Sequence, residues 1–359
     1  MSSAPIKQTG VQQYVWALLA IILTIYALVK AKTLLIPLVF AGLLFITMLP
    51  VYKRWLKLLR SDVISAVATI LTLLIPLSII LLFFSIQLVD VGKNLTSIDE
   101  NMRKGLDNVL SWLGALPMLR EVDLTNWLKE NLSTIISKPL TIVQAGISQS
   151  TATITGFILM LITFVFLLFY EKGIKEWILL LAPDDVEHNW IDAIKEIQKL
   201  VQKYLLGMLT VILILALMNS IGLWMIGIQY ALLWGFLAGF LALIPYIGTL
   251  VGGLLPFLYS VATTDTWYQP LLVIGLFVLL QFIEGNLITP KVVGNQVSVN
   301  PLAAIFALLT GALIWGLAGV ILAIPLVAMI RVICSKVKSL QAIAFVLGTS
   351  LSNPPSEQR

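Results

Sequence analysis

QFIEGNLITPKVVGNQVSVNP, residues 281–301, interrupts an otherwise strongly apolar reach of chain from Pro270 to Ile330. Gln281, Glu284, Asn286, Thr289 and Lys291 stand there between hydrophobic runs long enough to enter a bilayer. A charge at bilayer depth costs roughly 2.5 to 3.5 kcal/mol on insertion scales, so such groups mark a pathway or a site by default. The flanking runs decide the fold class. They predict an all-α, polytopic transmembrane helical protein whose function lies in the interruption.

Composition points the same way. Of the 359 residues, 59% are hydrophobic and 11% charged, and the mean hydropathy of +0.99 lies outside the range of a soluble domain of this length. The single cysteine, Cys334, excludes an internal disulfide and a thiolate metal cluster. The single histidine, His188, leaves little for a metal site or a Ser/His/Asp triad, and no cofactor is expected. The net charge of +5 comes from basic residues beside apolar segments. That placement fits orientation in a lipid bilayer and argues against a nucleic-acid partner.

About 20 apolar residues cross ~30 Å of hydrocarbon. Spans are expected at 12–29, 33–50, 63–87, 151–169, 205–227 and 270–288. The first follows Lys7 and lacks a small-residue cleavage site, so it reads as an uncleaved helix. Two further segments differ. Residues 231–260 carry Pro245, Gly248, Gly252, Gly253 and Pro256, and residues 301–330 carry Gly311, Gly316, Gly319 and Pro325. Proline removes a backbone hydrogen bond and clashes with the preceding turn, so each segment is expected as a broken helix or a hairpin. Paired interruptions of this kind point to a substrate site, although glycines also serve close helix packing.

Lys53, Arg54, Lys57 and Arg60 form the densest basic stretch and are expected on the cytoplasmic side. Arg331, Lys336 and Lys338 put the C-terminus there too, and the count of spans puts the N-terminus beside it. Residues 90–150 then fall outside, with apolar positions at helical spacing (Leu95, Ile98, Met102, Leu106) that suit amphipathic helices on a membrane or a neighbouring subunit. A second amphipathic stretch, Val186–Tyr204, follows Asp184 and Asp185, which are expected to cap it, and His188 lies on it without a metal-spaced partner. The chain thus divides into 1–89 (three scaffold spans), 90–150 (outer insertion), 151–204 (fourth span and cytoplasmic helix), 205–339 (core with broken helices) and 340–359 (cytoplasmic tail).

Three motifs carry a resemblance: PYIGTLVGGLLP at 245–256, IEGNLITPKVVG at 283–294 and NPLAAIFALLTGALIWGLAGVILAIPL at 300–326. Together they resemble the autoinducer-2 exporter family of bacterial permeases, and the order of spans and insertions is similar over nearly the whole chain. The resemblance implies a multi-pass transporter of the bacterial inner membrane, a homo-oligomer, and a small-molecule or ion substrate. A small polar metabolite of the autoinducer-2 class is the first expectation, and sodium/proton antiport the alternative.

Read by their chemistry, the polar residues fit coupled transport. A carboxylate at depth, Glu284, can take up and release a proton, and Gln281 three residues earlier shares its helical face. Asn286 precedes an expected break at Pro290, and Lys291 is placed to neutralise Glu284 or attract an anion. Backbone freed at Pro245, Gly248 and Pro290 is tolerated at depth only if buried or lining a wet cavity, where it can bind a hydroxylated solute or a sodium ion. Tyr246, Thr249, Asn219 and Ser220 are secondary lining candidates; Asn219 alone equally suits interhelical hydrogen bonding. The alternative for Glu284 is a purely structural pairing or cap. No GxxxxGK[ST] loop is present, so no ATPase in this chain drives transport. No nucleophile–base or aspartate pair stands at depth, so an enzyme is not expected. A structural or anchoring membrane protein remains a second alternative, because the amphipathic insertions suit one.

Overall fold

The computed structural model describes residues 10–93, 150–180, 187–244, 247–264, 266–292 and 299–349. Most of the expected outer insertion, Asp184 and Asp185, Pro245 and Tyr246, and residues 293–296 of the polar interruption lie outside the described residues, as does the side chain of His188. The described chain is helical, and its only non-helical pairing is a single antiparallel bridge between Val299 and Gly348. Among the described residues five helices are long and apolar enough to cross a membrane, Lys32–Leu59, Asp62–Val91, Trp190–Ile226, Tyr268–Val292 and Leu317–Lys336, and the bent pair Thr153–Phe169 and Glu171–Trp177 makes six if counted as one span; Leu18–Lys30, within the first expected span, is a shorter apolar helix. The chain separates into two compact units: residues 1–45, 153–177 and 299–359, and residues 46–152 and 178–298.

The first unit holds α1 (Gly10–Lys30), the start of α2 (Lys32–Leu59), and most of α4 (Ser150–Phe169) and α5 (Glu171–Leu180). The chain bends 77° between α4 and α5. The segment expected to be broken at 301–330 is here a hairpin, α11 (Pro301–Trp315) and α12 (Leu317–Lys336), joined at Gly316. Asn300 caps α11, its side-chain oxygen accepting from the Ala303 N–H at 2.7 Å, and Pro301 occupies the first turn, where a missing N–H does no harm. Gly316 has φ +62°, a backbone conformation that L side chains rarely adopt. Gly311 and Gly319 bring the two arms into backbone contact: a Cβ on Gly319 would stand 1.9 Å from the Gly311 carbonyl oxygen. The Trp315 indole N–H donates to the Leu28 carbonyl at 3.1 Å and ties the hairpin to α1. A closing helix, α13 (Gln341–Leu347), returns to Asn300, whose N–H donates to the Leu347 carbonyl at 2.9 Å.

The second unit contains the rest of α2, then α3 (Asp62–Lys93), α6 (Glu187–Ile226), α7 (Ala231–Leu241), α8 (Ile247–Thr263) and α9 (Tyr268–Ile283). The basic stretch after the second span is itself helical. Lys53, Arg54 and Lys57 ride the last turns of α2, and the chain reverses at Arg60, φ 53°, before Asp62 opens α3. The amphipathic stretch and the fifth span, divided in the sequence reading at 204/205, form one 40-residue helix. No proline occurs in it, and its two glycines, Gly207 and Gly222, do not stop a helix whose apolar stripe passes from amphipathic to all-round.

Residues 231–260 are interrupted as expected, and the break shapes the site. α7 ends at Leu241, three turn residues follow, and α8 starts at Ile247. The reversal is tight: a Cβ on Gly248 would lie 1.6 Å from the Leu241 carbonyl oxygen. Gly252 packs on Ala238, Gly239 on Ala216 and Gly235 on Ser220, so α7 is pressed between α8 and α6. With 11 residues at ~1.5 Å rise, α7 reaches only about half way across ~30 Å of hydrocarbon.

Candidate functional site

α9 does not break at Pro290, as the sequence reading expected. It widens into a π turn, Glu284–Ile288, and continues as α10 (Thr289–Val292). The Thr289 N–H donates to the Glu284 carbonyl five residues back. The wider turn lets the helix pass a residue that has no N–H to donate, so the proline is absorbed. Single π turns in helices recur at functional sites.

Glu284 opens this turn, and its carboxylate is held from both sides. Gln281 Nε2 donates to one oxygen and Thr289 Oγ1 to the other, each at 2.9 Å. The Gln281 contact realises the shared face expected from the spacing of three. Lys291 plays no such part: among the described residues no ion pair joins it to Glu284, and its helix position leaves it exposed. Asn286 donates to the Phe282 carbonyl at 2.8 Å, and both it and Pro290 face outward.

Glu284 and Gln281 line a small, partly open cavity with Asn219 from α6, Thr249 from α8, and Ala238 and Ala242 from the end of α7. Leu215, Phe277 and Leu280 complete its wall. Its volume is about 20 Å³, room for one water-sized occupant. Asn219 is 5% exposed; its amide nitrogen donates to the Leu215 carbonyl at 2.8 Å, while its oxygen has no hydrogen-bond partner. A buried acceptor without a partner costs roughly 1–3 kcal/mol, and the adjoining cavity has room for one water to supply that partner.

Of the residues singled out in the sequence, the structure therefore gathers Asn219, Thr249, Gln281 and Glu284, with Gly248 making the turn beside them. It separates Asn286, Pro290 and Lys291 from them. Ala238 and Ala242 were not legible as lining residues. They are small because α7 must approach its neighbours closely, and only that approach brings the helix end to the cavity.

Two larger clefts belong to the same unit. One, about 620 Å³, is walled mainly by apolar side chains of α8 and α9 and shares Thr249 and Gln281 with the small cavity. The other, about 590 Å³, is lined by Gln87, Ser220, Trp224, Gln229 and Tyr230 among others. The Gln87 side-chain oxygen is buried there without a partner. Nearby, Tyr259 donates to Gln229 at 3.3 Å, and Gln269 donates to the Ile226 carbonyl at 2.9 Å. Sequence reading passed over this second polar cluster because its glutamines stand at helix ends, where polar residues are ordinary.

Long apolar helices, a hairpin of two shorter ones and polar groups of α6, α8 and α9 gathered around one carboxylate fit a multi-pass helical membrane protein. The chain belongs to the AI-2E family of transporters, whose model matches residues 15–339. It is 30% identical over 191 residues to YrrI of Bacillus subtilis, covering 52% of this chain and 54% of that protein. YueF of the same organism is 23% identical over 322 residues, 85% of this chain and 84% of the relative. The AI-2 transport protein TqsA of Escherichia coli is 21% identical over 325 residues, 88% of this chain and 90% of that protein. Membership makes this a bacterial membrane transport protein.

Proposed function

We propose that the protein is a secondary transporter of the bacterial inner membrane that exports a small polar metabolite by alternating access, with Glu284 as the coupling carboxylate. One observation carries this reading: at a π turn, a carboxylate held by two neutral donors lines a small cavity beside the end of a helix too short to cross ~30 Å of hydrocarbon. The Gln281 and Thr289 donors fix the position of the carboxylate, and in this proposal Glu284 carries the coupling proton. The named transport of AI-2 by TqsA supports a furanone of that class as the solute. A furanone exceeds a cavity of about 20 Å³ and does not fit there in this conformation. The 590 Å³ cleft edged by Gln87 and Gln229 is large enough for it and offers neutral hydrogen-bonding groups.

The same cavity size favours a second reading, sodium/proton antiport, in which the ion alone is carried. Proteoliposomes decide between them. Gradient-driven flux of the organic solute should be present in the wild type and lost in Glu284→Gln, with solute exchange partly retained, because the amide keeps shape and hydrogen bonding but not the titratable proton. Sodium-dependent proton movement with no organic solute would select antiport.

In this reading both termini are cytoplasmic and the chain works as a homo-oligomer. In a Cys334→Ser background, Asn108→Cys is expected to react with an impermeant thiol reagent from outside and Asn189→Cys only after permeabilisation. Equal labelling from outside removes the orientation. A native mass in mild detergent that shows only monomer removes the oligomer.

A further inference from the structure

We infer that the apolar groove along the α11–α12 hairpin holds one acyl chain of an anionic phospholipid from the surrounding bilayer, whose phosphate is met by Arg331. The inference is independent of any coupling role for Glu284.

The shape of the groove sets the thickness of its occupant. Its lining runs from Leu302 to Trp315 on α11 and from Gly319 to Ile330 on α12, so it follows the first arm for nearly its whole length. At ~1.5 Å rise per residue the stretch on α11 is about 20 Å long. A volume of about 650 Å³ spread over that length leaves a mean cross-section of about 30 Å². An α-helix with its side chains is roughly 10–12 Å across, or about 80–110 Å², so a helix of a second copy is too thick to lie within the groove. A hydrocarbon chain is thin enough. The groove is floored by the crossing of Gly311 and Gly319, where the arms meet backbone to backbone, and the small side chains of Ala303, Ala307 and Ala323 leave it open.

The two ends of the groove differ in charge. One ends on Trp315 and Leu28, which the indole hydrogen bond already joins. The other ends on Asn300, Val346 and Leu347, beside Arg331, the residue that follows the lining Ile330. Arg331 is half-buried against the end of α13: a Cβ on Gly348 would stand 3.2 Å from its Nε. That Nε–H is buried and has no hydrogen-bond partner. Asn300 is committed elsewhere, its amide nitrogen to the Val346 and Gly348 carbonyls and its oxygen to the Ala303 N–H. Residues 299–349 contain Arg331, Lys336 and Lys338 and neither Asp nor Glu, so no carboxylate of this stretch balances them.

The apolar lining alone selects nothing, because lipid tails are as apolar as leucine. Selection comes from the charged end. A guanidinium presents a fork of N–H donors that matches phosphate oxygens, and a buried donor left unpaired is costly. Basic pockets between membrane helices hold anionic head groups in this way.

The test is thermal unfolding of the purified, delipidated full chain in detergent, titrated with phosphatidylglycerol or with phosphatidylcholine of the same acyl chains. The wild type should be stabilised saturably, with phosphatidylglycerol effective at a roughly tenfold lower concentration, the size of one charge-assisted contact. Native mass spectrometry should show one phosphatidylglycerol retained per chain. Arg331→Gln should erase the preference between the lipids. Ala307→Phe, which fills the groove and leaves Arg331 in place, should weaken the response to both, and it decides the matter if Arg331→Gln does not fold. Equal responses to the two lipids in the wild type, or an undiminished preference in Arg331→Gln, would overturn the site. So would the same stabilisation by inorganic phosphate alone. An oligomer that Ala307→Phe converts to monomer with lipid retention unchanged would overturn it too, and would give the groove to a second copy.

Discussion

The two interrupted hairpins make opposite use of the same residues. In α7–α8 and in α11–α12 alike, glycines let one arm lie on the backbone of the other: Gly252 on Ala238 in the first, Gly319 on Gly311 in the second. Yet the first hairpin is packed against α6, with Ala231, Leu233, Trp234, Gly235, Ala238 and Gly239 buried. The arm α11 of the second buries none of its residues and borders a cavity of about 650 Å³ whose lining is apolar but for Asn300 and Thr310, with the indole of Trp315. Only the first converges on polar side chains. Glycine and proline therefore announce a hairpin, and the polar groups facing it from other helices decide whether the hairpin serves a site.

That contrast can be broken at three positions. The largest effect on stability is expected at Gly248, where a Cβ must displace the Leu241 carbonyl. Gly248→Ala should destabilise the purified protein by about 3 kcal/mol, at the upper end for overpacking, read as lost folded yield on size exclusion. A wild-type yield would mean that the turn is looser than described. Next comes Asn300→Ala in the second hairpin. It removes the cap on α11 and the amide bonds to the Val346 and Gly348 carbonyls, and should lower stability by about 1–2 kcal/mol. Flux per folded molecule should stay at the wild-type level, and a specific flux defect would bring the second hairpin into the mechanism. The smallest effect belongs to Gly275, inside α9 with open space around its Cβ position. Gly275→Ala should raise stability by up to ~1 kcal/mol through helix propensity, and a loss would place an unseen neighbour there.

Much of this was legible in the chain. Apolar run lengths gave the helices at 33–50, 63–87, 205–227 and 270–288, because hydrocarbon thickness leaves few alternatives, but they did not show the bend after Phe169 or that Leu317–Lys336 is itself long enough to cross. The spacing of Gln281 and Glu284 gave their shared face, since three residues nearly complete a helical turn. Pro290 misled, because a proline terminates an α-helix only when the backbone has no wider turn to adopt, and five residues of π-helix supplied one. Lys291 misled as well: proximity in sequence suggested an ion pair, while Thr289 at the end of the same turn supplied the second bond to the carboxylate. The continuity of α6 through Tyr204 was hidden by a change of environment without a change of conformation. Asn219 presented two readings in the sequence. Its donor serves its own helix and its acceptor faces the cavity, a division that only the packing of α7 and α9 around it reveals.

The central claim is that transport is coupled in the α6–α9 cluster and not in the α11–α12 hairpin. The most direct test is gradient-driven solute flux in proteoliposomes carrying wild type, Glu284→Gln or Thr310→Val, normalised to folded protein. Flux should be abolished by Glu284→Gln and unchanged by Thr310→Val, which alters only the lining of the second hairpin's cavity. Wild-type flux in Glu284→Gln, or its loss in Thr310→Val, would contradict the claim.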